Sequence, residues 1–492
     1  MKPIKANQLA SGLDDVRLTL SPRWALAGLS LSMLMPSLDT SIANVALPPM
    51  AQAFGASFQS IQWVVLVYLL AITSLIVSVG RLGDIFGRRR LLLAGISLFT
   101  LASLLCGLAD RLWFLIAARA AQGLGAAIMM ALAVALVGDT VPKEKTGNAM
   151  GLLGTMSAIG TTLGPTLGGV LIAGFGWQTI FLINVPIGLA TFLLACRYLP
   201  ADRQYAEKIG AEKPGIDKIG TLLLTLTLVA YALAMTVGHG HFSRLNMALL
   251  LVSVLGVGLF VLAEKHVASP LIRLTMFRDP LLSTRLIMNT LVSTVMMATL
   301  VVGPFYLSHA LGLQAATVGF LLSVGPLVAA LTGVPAGRLV DRFRARRIIV
   351  MGLCAIATGS LLLFLLPLGF GVAGYIAPIA IITAGYALFQ TANNTAVMSD
   401  VGPDQRGAVA GLLSLSRNLG LISGASAMGA VFAFASSAAD ITTAAPEAVA
   451  TGMRYTFAVA AFLIGNALAI GSIGQTLALA RRHSKPVGTE LN

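Results

Sequence analysis

The sequence predicts an all-α polytopic membrane protein with fourteen transmembrane helices, and three observations lead there. The 492 residues are 57% hydrophobic and only 11% charged, with a mean hydropathy of +0.87, where soluble domains carry roughly one charged residue in four. The apolar residues gather in runs of about 20, long enough to cross a hydrocarbon core as helices that satisfy their own backbone hydrogen bonds. Lys and Arg fall almost entirely in alternate connections, the arrangement that orients membrane helices with positive charge on the cytoplasmic side. The net charge of +14 is therefore an orientation signal, and no clustered basic face remains to attract nucleic acid.

Residues 1–23 carry Lys2, Lys5, Asp14, Asp15, Arg17 and Arg23 without an apolar core and read as a cytoplasmic tail. Spans then start near Trp24, Ser60, Leu91, Leu112, Thr146 and Thr179, a six-helix bundle over 24–199. A cytoplasmic linker and a helix pair starting near Ile216 and Leu245 fill 200–264. Spans starting near Ser283, Thr317, Ile348, Tyr375, Gly407 and Tyr455 form a second six-helix bundle over 265–480, before a cytoplasmic tail at 481–492. With both termini inside, Arg81, Arg88 to Arg90, Lys143, Lys145, Arg338, Arg342, Arg344, Arg346 and Arg347 are cytoplasmic. Only Arg111, Arg244 and Arg454 are exterior, and Arg119 and Arg417 lie inside helices.

The halves repeat. GRLGDIFGRRR from Gly80 ends the second span and GRLVDRFRARR from Gly337 ends the tenth, with Gly, Arg, Leu and Asp in register. GLLGTMSAIGTTLG from Gly151 parallels GLLSLSRNLGLISG from Gly411. Both pairs lie eight spans apart, so the seventh and eighth spans are an insertion between two six-helix repeats, and such repeats mark transporter folds.

One carboxylate departs from the pattern of acidic loops. In SLDTSIANVALP, Asp39 lies deep in an apolar span, where a charge costs about 2.5 to 3.5 kcal/mol on insertion scales. Counting about 1.5 Å per residue, Asp39 and Arg119 lie at similar depths below the outer surface, about 12 and 10 Å. In the fifth span Gly160, Gly164 and Gly168 share one helix face, beside Pro165 and Gly169, and permit close backbone packing, while Pro165 removes an internal hydrogen bond.

These stretches carry a resemblance. GRLGDIFGRRR is similar to the loop motif of the major facilitator superfamily, RAAQGLGAA from Arg119 to its fourth-helix motif, GTTLGPTLGG from Gly160 to its antiporter motif, and LDTSIANVALP to the first-helix motif of the fourteen-helix drug:proton antiporters. The resemblance implies two six-helix bundles around a central cavity, exporting an amphipathic small molecule in exchange for protons by alternating access. It implies that Asp39 and Arg119 face the cavity, where two readings stand side by side: a structural ion pair, or a proton-coupling pair in which Asp39 takes up and releases protons. Burial favours the neutral acid and a close guanidinium favours the carboxylate, so movement of Arg119 would switch Asp39. It assigns Gly80, Gly83, Asp84, Gly87 and Arg88 to a cytoplasmic latch, with Asp341 its second-half counterpart, weakened because Arg344 replaces Gly87. Arg417, a costly charge mid-span, takes a role in conformational coupling. The glycine-rich fifth helix packs against the other bundle.

A cavity for such a substrate needs apolar walls and a few polar anchors; Trp63, Tyr68, Phe305, Tyr306, Phe389, Gln390, Asn393 and Asn394 are the candidates. Each also serves as plain packing. Cys106, Cys196 and Cys354 and the five histidines have no metal-ligand spacing, so no metal is expected. No GxxxxGK[ST] loop occurs, so no nucleotide cofactor drives the cycle. The proton gradient does: one charge crossing 100 mV supplies about 2.3 kcal/mol, roughly fiftyfold in concentration. An intramembrane enzyme would need clustered catalytic groups that the spans lack. A transporter of one metabolite or lipid is the other reading. The expected partners are substrate, protons and membrane lipid, in a bacterial inner membrane, with a monomer as the simplest assembly.

Overall fold

A computed structural model describes residues 5–141, 146–200, 217–237, 243–267, 274–399, 406–436 and 444–483. Thirteen helices there are long and apolar enough to cross a bilayer, and one more precedes them. The spans are α1 (Lys5–Val45), α2 (Phe58–Phe86), α3 (Arg88–Gly107), α4 (Leu112–Thr140), α5 (Thr146–Phe175) and α6, the last broken into Thr179–Leu182 and Asn184–Tyr198. Then come α7 (Lys218–Thr236) and α8 (Arg244–His266). The second set is α9 (Pro280–Phe305), α10 in two pieces (Ala315–Leu322 and Val324–Arg342), α11 (Ala345–Leu365), α12 (Gly371–Ser399), α13 (Arg406–Ser423, continued to Ala435 through a π-turn) and α14 (Pro446–His483).

Local chemistry sets several ends. Ser57 caps α2 by accepting from the Ser60 amide at 3.3 Å, and Asp279 caps α9 by accepting from Leu281 N at 2.9 Å, with Pro280 in the first turn. Gly87 links α2 to α3 at φ 93°, a conformation that costs any residue with a Cβ. Its second-half counterpart Arg344 sits at φ −62°, and the chain turns there with ordinary geometry. Two boundaries differ from the sequence reading: α1 begins at Lys5, inside the segment read as a tail, and α14 begins at Pro446. Arg454 therefore lies within α14, its Nε donating to the Phe364 carbonyl at 2.8 Å.

Helices α1 to α6 pack together, as do α9 to α14; α7 packs on α2 and on the π-turn of α13, and α8 packs chiefly on α7. The repeat is visible atom by atom. A Cβ on Gly160 would lie 2.6 Å from the Leu34 carbonyl of α1, and one on Gly420 would lie 2.3 Å from the Thr290 carbonyl of α9. A Cβ on Gly125 of α4 would meet the amide of Phe99 at 2.7 Å, and one on Gly385 of α12 that of Ile356 at 2.9 Å. These crossings fix the register between the halves.

The bundles touch toward the end of the molecule remote from the Arg88–Arg90 and Arg344–Arg347 connections. There Phe58 of α2 meets Phe305 and Phe432 edge-on, at 4.7 and 5.4 Å, and Gln62 donates to the Ala425 carbonyl at 3.1 Å. Between α5 and α10, Gly169 and Gly319 abut backbone to backbone, Thr166 and Ser323 share a hydroxyl hydrogen bond, and Thr162 donates to the Pro326 carbonyl at 3.3 Å. Nearer the arginine-rich end these helices part: a Cβ on Gly154 or Gly333 would meet nothing within 4 Å, and Leu327 and Leu331 are exposed.

Candidate functional site

The structure brings Asp39 and Arg119 into a direct ion pair with both side chains fully buried. Arg119 Nη1 donates to Asp39 Oδ2, while Asp39 Oδ1 accepts from Gln122 Nε2 at 2.9 Å and from Asn184 Nδ2 at 3.0 Å. Arg119 also donates from Nε to the Val64 carbonyl at 2.9 Å and from Nη1 to Gln122 Oε1 at 2.7 Å. Gln122 Nε2 reaches Ser103 Oγ at 2.8 Å. Five helices, α1, α2, α3, α4 and α6, thus meet in one network, three of them (α1, α4 and α6) at the carboxylate itself.

The guanidinium lies over the Tyr68 ring, 4.1 Å from its centroid, with Phe181 5.5 Å away. Such faces attract a cation, the more so where water is excluded. Arg119 Nη2 has no hydrogen-bond partner among the described residues, so the rings are its main electrostatic company. The pair does not line a cavity, as the resemblance implied; it is enclosed within the first bundle. Gln122 and Asn184 escaped the sequence reading. Gln122 follows Arg119 by three residues in RAAQG and therefore shares its helix face, which was a usable signal; Asn184 offered none beyond its place in a span.

The register of the repeat places Val295 where the first half has Asp39, Ile379 for Arg119 and Ile382 for Gln122; all three are buried. Ser360 stands for Ser103. The same helix crossings are therefore built in the second half with aliphatic side chains.

The fifth-helix glycines also depart from expectation. Gly160, Gly164 and Gly168 press on Leu34, Ser37, Leu38, Ser41 and Ile42 of α1, within their own bundle. Contact with the other bundle comes from the neighbouring face, through Thr162, the Pro165 carbonyl, Thr166 and Gly169. The reason is close approach: α1 comes nearest the α5 backbone where side chains are missing, and that stretch of α1 holds Asp39.

Of the latch residues, Gly83 lies where a Cβ would be 2.8 Å from Leu132 of α4, and Gly87 makes the turn before Arg88. Gly80 and the side chains of Asp84 and Asp341 fall outside the described residues. Arg417 is exposed rather than a buried charge. It shares a face of α13 with Leu421 and Ala425 at four-residue spacing, and since Ala425 meets Gln62 of α2, Arg417 lies two turns along, where the bundles have parted.

The substrate candidates do not form one wall. Tyr68 covers Arg119, Phe305 belongs to the closing aromatic cluster, Tyr306 stacks on Tyr375 at 5.9 Å, and Phe389 fills the α11–α12 crossing at Gly352. These four are buried; Trp63, Gln390 and Asn394 are half-buried. Asn393 is fully buried, and neither of its amide atoms has a hydrogen-bond partner among the described residues. Those residues hold no group of three or more His, Cys, Asp or Glu able to bind a metal.

Residues 29–425 match the family model described as Major Facilitator Superfamily. The chain belongs to that superfamily. It is a membrane transporter, not an enzyme. It is 33% identical to the multidrug resistance protein Stp of Mycobacterium tuberculosis, over 83% of this chain and 75% of that one. It is 29% identical to the riboflavin transporter RibZ of Clostridioides difficile, over 84% of this chain and 89% of that one. Among solved structures it is similar to an inward-facing, unoccupied bacterial homologue of the lysosomal transporter Spinster, with a TM-score of 0.64 at 15% identity over 92% of this chain and 97% of that one. This last likeness concerns the fold.

Proposed function

We propose that this facilitator exports amphipathic small molecules in exchange for protons, with Asp39 as the proton carrier. The supporting observation is the ion pair present in one half only: a buried charge pair is costly to maintain, and Val295 and Ile379 show that the fold packs without it. Ionised Asp39 draws Arg119, Gln122 and Asn184 onto α1. Protonation removes the charge that holds Arg119 and loosens α1 from α4 and α6, while Arg119 keeps the Val64 carbonyl and Gln122. In the state described here the carboxylate is sealed from both ends, as an exchanger requires if protons are not to leak.

The parting of α5 from α10 on the arginine-rich side then reads as a cavity open to the cytoplasm, with Arg417 on its wall. Gly83, Gly87 and Arg88 lie at that end, where a latch would re-form when it closes. Both termini and the bacterial inner membrane belong to this reading, following the alternation of positive loops.

The experiment is uptake into inverted membrane vesicles under an imposed pH gradient, with a panel of amphipathic dyes and biocides, for wild type and Asp39→Asn. Gradient-dependent accumulation that Asp39→Asn abolishes is expected. Unaltered accumulation by the variant would remove Asp39 from the coupling. Riboflavin belongs in the panel because of RibZ; accumulation of it and none of the dyes would favour a metabolite transporter.

A further inference from the structure

We propose that the second bundle carries a binding site for one anionic phospholipid, outside the transport path. A cavity of about 120 Å³ opens between α9, α11 and α14 at the arginine-rich end. Its walls include Leu281, Met288, Ile349 and Leu468, and two of its lining residues are arginines, Arg285 and Arg346. Among the described residues no acidic side chain lines it. The nearest carboxylate in sequence, Asp279, is engaged in capping α9 through the Leu281 amide.

The two arginines differ in how they are held. Arg285 is half-buried and anchored by donating from Nη1 to the Ala396 carbonyl at 2.5 Å. Arg346 is exposed and makes no side-chain hydrogen bond or ion pair among the described residues. The helices flanking the opening turn Val350, Met351, Phe462 and Ile473 outward, an apolar face of the kind that meets lipid chains. The site thus joins two cations at headgroup depth to an apolar groove open to the bilayer, which is the chemistry of a phosphate ester with its acyl chains attached.

The repeat supplies a control. In the first bundle Arg346 corresponds to Arg89, which donates to the Cys196 carbonyl of α6, and Arg285 corresponds to the fully buried Leu29. There the one arginine is engaged by its own bundle and the second cation is replaced by an aliphatic side chain. The second bundle has a cavity at this position with two arginines in its lining.

The test is native mass spectrometry of the full-length, delipidated protein titrated with phosphatidylglycerol or phosphatidylcholine of identical chains, with glycerol phosphate as the free-headgroup arm. One tight phosphatidylglycerol is expected, with phosphatidylcholine binding more weakly and glycerol phosphate not retained. Arg346→Gln, at an exposed position that the fold does not need, should weaken that lipid about fivefold, the worth of one surface arginine. Ser472→Trp, which narrows the groove without changing charge, should also weaken it. Equal binding of both lipids, full binding by both variants, or retention of glycerol phosphate alone would each overturn the proposal. None of these readouts depends on transport, so failure here is separable from failure of the exporter reading.

Discussion

If the Asp39 network exists for coupling rather than for folding, the first bundle should accept the apolar solution used by the second. The perturbation is the triple variant Asp39→Val, Arg119→Met and Gln122→Ile, compared with Arg119→Met alone. Met replaces Arg119, although Ile379 occupies that register, because the side chain must fill the space between the Tyr68 and Phe181 rings, and Met adapts to such gaps. The single variant leaves Asp39 buried with two amide donors and no cation, at a cost of about 3 to 5 kcal/mol. The triple variant removes both charges, an exchange that ranges from neutral to about 1–4 kcal/mol stabilising. It strands the Asn184 amide, worth about 1–3 kcal/mol, while Ser103 keeps its bond to the Phe99 carbonyl at 2.7 Å. The triple should therefore lie within about 3 kcal/mol of wild type and be more stable than the single, by reversible denaturation in detergent. In inverted vesicles it should fail to accumulate substrate. A triple as unstable as the single would show that the fold needs the charges; a stable triple that still pumps would show that protons travel elsewhere.

Asp39→Asn should abolish substrate-induced proton release from purified protein, read with a pH dye in weak buffer; release equal to wild type would make the carboxylate structural. Gly164→Ala should destabilise by about 1–3 kcal/mol, because the new methyl would lie 2.6 Å from Ser41 Cβ, whereas Gly154→Ala, with open space, should be near neutral; thermal unfolding in detergent compares them. Cysteines at Thr166 and Ser323 should form a disulfide that arrests transport until reduced, since these hydroxyls meet across the bundle interface; undiminished transport by the crosslinked protein would mean that α5 and α10 do not separate there.

The fold was legible because its determinants are local or periodic. Apolar run length marks the spans, loop arginines set their order, and the glycines at 160 and 164, and again at 420 and 424, reveal the repeat. The expected partnership of Asp39 and Arg119 rested on depth, since two helices of known start place both residues at one level, and on the family's arrangement, which turned both toward one cavity. What depth does not contain is azimuth. Whether Asp39 turns to a central cavity or into its own bundle depends on which neighbour α1 approaches, and that is decided by the missing side chains of α5. The same limit explains Arg417, where mid-span position suggested burial but the parting of the bundles exposes it. It explains the aromatic candidates as well: Phe305 and Phe389 have a wall-forming composition, yet one closes an end and the other fills a helix crossing.

If Asp39 is the proton carrier, its place inside one bundle has a mechanical consequence. Asp39 lies on the stretch of α1 that Gly160 and Gly164 hold against α5, and the adjoining face of α5 meets α10 through Thr162, Thr166 and Gly169. A change in how tightly α4 and α6 grip α1 therefore acts on the helix that bears the bundle interface, one contact away. Contiguity of this kind is a spatial argument, and energetic coupling is a separate quantity. Yet a proton site lining the cavity could report only local occupancy, whereas a site buried against the backbone of α1 biases how a whole bundle packs. Protonation there would supply the differential free energy between two conformations that a driving ion must provide.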